Sequence, residues 1–115
     1  MKRIYNHRAF PRVPIGYRVK IVTKDRMIGY SQALNVSMGG ILLNGEPPLQ
    51  VGTRVGVAIF LSDGEGGSRI VTSGTVVRCD FQGNAIQFAP DMEEEHARAL
   101  ALLVAAHSPK AAASV

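Results

Sequence analysis

The chain has 115 residues, 46% hydrophobic and 19% charged, which bounds it to one domain with a single modest core and excludes a disordered chain. Its net charge of +4 is local: Lys2, Arg3, Arg8 and Arg12 fall in the first fourteen residues with no acid, and the remainder holds nine basic and nine acidic side chains. A neutral body with a basic arm argues against a broad duplex-binding face and fits capture of a small anion.

Residues 1–14 read as a flexible basic arm. Arg8 and Arg12 are four apart, an offset that puts both side chains on one side of the backbone whether it is extended or helical. Pro11 and Pro14 push their preceding residues toward extended geometry. The two α-carbons are then at most about 14 Å apart, and long side chains can converge from there. A guanidinium binds phosphate oxygens or the O6/N7 edge of guanine in forked fashion. Taken alone, the arm reads more readily as a solvated basic tail.

From residue 17 the pattern turns to strands. Tyr17, Val19 and Ile21 alternate with Arg18, Lys20 and Val22, giving a half-buried strand over 17–22. Lys24-Asp25-Arg26 supplies a turn. A second strand is expected over 27–36, with Gly29 as a bulge or kink, and a short third over 41–43. Asn44 to Pro48 is a loop, since two prolines exclude a central strand. A fourth strand runs over 53–61 with Val55, Val57, Ile59 and Leu61 on one face. Asp63-Gly64-Glu65-Gly66-Gly67 is a hairpin loop and not a phosphate loop, because neither a helix start nor Gly-Lys-Ser/Thr follows. A β-branched fifth strand over 70–79 turns through Gln82-Gly83-Asn84 into a sixth over 85–88. Six short strands with hairpin-length links predict an antiparallel barrel over residues 15–90, because closure removes exposed edges.

A helix is expected over 91–107, capped by Asp91 with Glu94 at the reciprocal position. Met92, His96, Leu100, Leu103, Val104 and His107 form one stripe, with Leu100, Leu103 and Val104 packing over the barrel or another subunit. His96 and His107 read as surface or packed residues, not a metal pair. Residues 108–115 read as a frayed tail. The single cysteine, Cys79, allows no internal disulfide and reads as a packed strand residue. With no signal-peptide core and no apolar run near 18 residues, the expected location is cytoplasmic.

The remaining cluster is Asn35-Val36-Ser37-Met38-Gly39-Gly40. Asn35 and Ser37 are two apart in a strand and so share a face. Asn offers an acceptor and two donors, Ser a hydroxyl that does both, a set suited to the Watson–Crick edge of guanine, although standing alone the cluster reads more readily as a polar strand end running into a turn. Gly40 permits close backbone approach to a ligand or an unusual φ.

Arg8-x-x-x-Arg12 followed by Asn35-x-Ser37-x-x-Gly40 resembles the PilZ domain family, and Gly74 to Arg78, Ala85 to Phe88 and the closing helix extend the likeness over about residues 3–107. The resemblance implies a six-stranded antiparallel barrel with a C-terminal helix that binds the bacterial messenger cyclic di-GMP without catalysis. Arg8 and Arg12 would hold phosphates and guanines, Asn35 and Ser37 would hydrogen-bond a guanine, and Gly40 matches the motif glycine. His7 resembles a tuner of ligand stoichiometry, and Gly39 and Arg78 are further candidates. Asn35 stands where the family also uses Asp, so its acceptor bond is weaker than a carboxylate's.

The leading expectation is thus a stand-alone cyclic di-GMP receptor that passes the signal to a protein partner, such as flagellar, pilus or exopolysaccharide machinery, as a monomer or homodimer. A nucleotide-independent adaptor is the alternative. A small basic RNA- or DNA-binding barrel conflicts with the neutral body. No nucleophile–base pair, metal spacing or paired catalytic carboxylates suggest an enzyme, and no resident cofactor is implied.

Overall fold

The computed structural model describes residues 17–30, 33–61 and 68–107. The arm with His7, Arg8 and Arg12, the glycine-rich loop at 63–67 and the tail at 108–115 lie outside the described residues. Seven strands and one helix follow in chain order: β1 (Val19–Val22), β2 (Met27–Tyr30), β3 (Ala33–Val36), β4 (Gly40–Leu43), β5 (Arg54–Phe60), β6 (Arg69–Asp80), β7 (Gly83–Phe88) and α1 (Glu94–His107). The strands form one sheet in the order β2-β1-β5-β6-β7-β4-β3, every neighbour antiparallel.

The strand expected over 27–36 is therefore two, which raises the count from six to seven. Its halves pair at opposite ends of the sheet, β2 with β1 and β3 with β4. Six antiparallel steps separate them, so they run in the same direction. Only residues 31 and 32 lie between, and that span reaches at most about 11 Å. A flat seven-stranded sheet would hold its edges about 29 Å apart. The sheet must curl until its edges approach, and Ala33 N–H donates to the Tyr17 carbonyl (3.3 Å) across the gap. The result is barrel-like, although the strand ladder itself is not closed between β2 and β3.

Gly29 is not a bulge, since the β1–β2 register runs unbroken from Val19↔Tyr30 to Val22↔Met27. The irregularities fall instead between Ala33 and Asn35 and between Val76 and Arg78. Inward residues such as Val19, Ile21, Val57, Ile59, Val76 and Ile86 make the core, and Leu100, Leu103 and Val104 of α1 join it, so the apolar stripe packs on the sheet of its own chain.

The helix starts later than expected. Ala97 N–H donates to the Glu93 carbonyl (2.9 Å), which makes Glu93 the capping position rather than Asp91. The chain leaving β7 is still tied to β6 at Ala89, whose N–H donates to Ser73 (2.8 Å), so Asp91 remains in the turn. Further on, the Val71 N–H lies in a part of β6 that β7 does not reach, and His96 Nδ1 accepts it (3.1 Å).

Tyr30 and Asn84 organise the loop between β4 and β5. The Tyr30 hydroxyl donates to the Pro47 carbonyl (2.6 Å). Burial is the main reason its pKa lies above the ordinary 10.0, because the phenolate is poorly solvated there. The folded state thus favours the neutral phenol, and stability present below about pH 10 is lost as pH rises toward the raised value. Tyr30→Phe should cost about 1 kcal/mol near neutrality and flatten the alkaline decline, as measured by urea unfolding between pH 8 and 11.

Candidate functional site

The curled sheet has an inner and an outer face, and the register assigns residues to each. Val36, Ile41, Ile86 and Val76 lie opposite one another across β3, β4, β7 and β6, and all four are buried in the core. Next to them runs a second cross-strand row, Asn35–Leu42–Ala85–Arg78. Alternation puts that row on the outer face, about 14 Å long at three strand spacings. The irregularity after Val76 brings Arg78, rather than Val77, into line with Ala85.

Asn35 at one end of the row is half-buried. Its Oδ1 is shielded from water and has no hydrogen-bond partner, a costly state for an amide oxygen. At the other end, Arg78 Nε lies 3.1 Å from Asp80 Oδ2, and the side chain is 41% exposed. That contact is an ion pair, but it is poorly aligned: the Nε–H makes no hydrogen bond. Both ends of the row carry polar atoms with unused bonding capacity.

The turn from β3 to β4 holds the rest of the motif. Ser37 N–H donates to the Gly40 carbonyl (2.8 Å), and Ser37 Oγ accepts from Gly39 N–H (3.1 Å). Ser37 is thus a turn-forming residue, buried one position past the end of β3, and its hydroxyl hydrogen has no acceptor among the described residues. The Gly39 carbonyl accepts from Phe88 N–H (2.9 Å), which ties the turn to the end of β7. Gly40 has no positive φ. A Cβ there would overlap the Ile86 carbonyl, so the glycine is required by the approach of β7.

Two clefts share Gln87 and Phe88, and the first of them is lined by the turn. One, of about 330 Å³, is lined by Met38, Gly39, Gln87, Phe88, Met92 and Ala97, among others. The other, of about 420 Å³, includes Arg54, Thr75, Gln87 and Asp91. Arg54, Thr75 and Gln87 continue a row that starts at Gly40. None of the three was singled out from sequence, because only the register aligns them with the motif. Among the described residues no three His, Cys, Asp or Glu side chains are grouped to hold a metal ion, and no helix is long and apolar enough to cross a membrane.

Residues 6–106 match the family model of the PilZ domain. No curated protein matches the chain. Among solved structures it is similar to the Bacillus subtilis inhibitor of motility MotI/DgrA, with a TM-score of 0.65 and 21% identity over 90% of this chain and 50% of that one. It is also similar to the PilZ domain of CeSA from a cellulose synthesizing bacterium, with a TM-score of 0.62 and 16% identity over 82% of this chain and 94% of that one. At those identities the likeness concerns the fold, and the chain spans half the length of MotI/DgrA.

Proposed function

The chain belongs to the PilZ domain family, and on that premise we propose that it is a bacterial, non-catalytic receptor for cyclic di-GMP that works in the cytoplasm and passes ligand binding on to an effector protein. The observation that carries this reading is the unpartnered Asn35 Oδ1 in the outer-face row, an acceptor covered from solvent and still without a donor. Guanine presents N1–H and N2–H₂ donors, the complement of such an acceptor. Ser37 has a hydroxyl hydrogen to donate toward the same ligand, and Arg78 in the same row adds a cation for a base or phosphate. Arg8 and Arg12 complete the site, each as a forked donor to a doubly anionic ligand. His7 and Gly39 border it, and Gly40 fixes the turn that presents Asn35 and Ser37. No resident cofactor is needed. The effector is a protein of the flagellar, pilus or exopolysaccharide kind.

Calorimetric titration with cyclic di-GMP tests this. Arg8→Ala and Arg12→Ala should each weaken binding at least about tenfold, since a hydrogen bond to a charged group is worth roughly 1.5–3 kcal/mol. Asn35→Ala, which removes a neutral acceptor, should weaken it about fivefold. Thermal unfolding of the three ligand-free variants should stay close to that of the parent.

One observation favours a second reading, a nucleotide-independent adaptor. Ser37 and Gly40 serve the β3–β4 turn whether or not a ligand binds, so half the motif can persist for structural reasons. Absence of heat at high micromolar cyclic di-GMP would select the adaptor.

A further inference from the structure

The charges of the neutral body are segregated on its surface. Across the outer face of β1, β5 and β6 runs the row Arg18–Phe60–Arg69: Phe60 N–H donates to the Arg18 carbonyl (2.9 Å), and Phe60 is in register with Arg69. Lys20, two residues along β1, points to the same face. The Arg18 guanidinium carbon lies 5.0 Å and Lys20 Nζ 5.6 Å from the centroid of the Phe60 ring, so two cations gather on one aromatic. Among the described residues, Arg18, Lys20 and Arg69 have no carboxylate partner. Like charges collected without a counter-charge repel one another, and an anionic surface laid against them relieves that repulsion.

The anionic surface lies beside them on the same molecule. Val71, 42% exposed, follows Arg69 on the same face, and its N–H reaches His96 of α1. At that junction the sign reverses. Glu93, Glu94 and Glu95 stand exposed in succession. Arg98 pairs with Glu94 (3.1 Å) and His96 approaches Glu93 (3.8 Å), whereas Glu95 has no ion pair among the described residues. The strip therefore reads basic at Phe60, apolar at Val71 and acidic beyond His96.

We infer that this bipolar strip is a self-complementary interface for a second copy of the chain. A two-fold axis lying in the contact plane along the Val71–His96 junction sets the basic row of each copy against the acidic helix start of the other, with the two Val71 side chains near the axis. A polyanion such as nucleic acid is the poorer occupant, because the glutamates beside the row repel it. Exposed ion pairs are individually weak and screened by salt. The dimer is accordingly reversible and salt-sensitive.

Sedimentation velocity of the full chain without nucleotide, from about 10 μM to about 1 mM, tests this across the range expected for a weak interface. A concentration-dependent dimer should form at about 50 mM salt and weaken at least about tenfold at 500 mM, where the Debye length is shorter than the interface. Arg18→Glu combined with Arg69→Glu should leave a monomer, and adding Glu93→Lys and Glu95→Lys to the same chain should restore the dimer. A parent chain that stays monomeric throughout overturns the inference, as does a dimer indifferent to the charge reversal or a fully swapped chain that remains monomeric. Circular dichroism checks the fold of each variant. If the reversed chain does not fold, Glu95→Lys alone, on an exposed and unpaired side chain, should weaken the dimer several-fold, and an unchanged dimer overturns the inference equally.

Discussion

Asn84→Ala should destabilise the domain by about 3–5 kcal/mol, one of the two largest effects expected of a single substitution in this chain. Asn84 is fully buried. Its Oδ1 accepts from Leu49 N–H (2.9 Å), and its Nδ2 donates to the carbonyls of Asn44 (2.7 Å) and Pro47 (3.1 Å), with the Tyr30 hydroxyl at 3.5 Å. One amide thus satisfies three backbone groups of the loop at 44–49, which has no strand partner of its own. Alanine leaves the Leu49 N–H and the Asn44 carbonyl without a partner, while Pro47 keeps the Tyr30 hydroxyl, and each orphan costs roughly 1–3 kcal/mol. Asn84→Asp is the informative companion. It keeps the acceptor for Leu49 but sets a carboxylate against two carbonyl oxygens, so its loss of stability should shrink as the carboxyl is protonated at low pH. Urea unfolding gives both numbers. A cost below 1 kcal/mol for Asn84→Ala would mean that the loop is held by other contacts.

Gly40→Val should lower the stability of the ligand-free protein by about 3 kcal/mol or more, a loss of at least roughly 12 °C in Tm for a domain of this size. A Cβ at this position overlaps the Ile86 carbonyl and comes within 3.4 Å of the Gln87 Cα. Both neighbours are backbone and cannot swing aside. Relief requires β4 to move off β7, which also strains the bond from Phe88 N–H to Gly39. This outcome differs from the expectation that the motif glycine admits a ligand. If Gly40→Ala or Gly40→Val left apo unfolding unchanged while abolishing cyclic di-GMP binding, ligand approach would be its role.

Strand positions were legible because β-branched alternation is a local signal, and the apolar stripe of α1 was legible for the same reason. The division of 27–36 was not, because no glycine or proline marks the break at residues 31 and 32, and the change of phase between buried Tyr30 and buried Ala33 shows only in the fold. Partner choice depends on distant segments. Asn35 and Ser37 could be found from spacing, but the alignment of Arg78 with Asn35 depends on two ladder irregularities that leave no mark in composition. Asn84 read as a turn residue because it follows Gln82-Gly83, and its partners lie 35 to 54 positions away. The helix start was displaced because several acidic residues in succession offer more than one plausible cap, and the tie between Ala89 and Ser73 decides among them.

β6 has twelve residues and β7 only six, so the first part of β6 extends past its neighbour with main-chain groups turned outward. Such an unsheathed margin is a template on which strands of other molecules can stack. By taking the Val71 N–H, the His96 imidazole places the helix over that margin. The helix therefore protects against fibril-like aggregation as well as supplying apolar contacts, and its detachment would be more hazardous to the protein than the lost burial alone suggests.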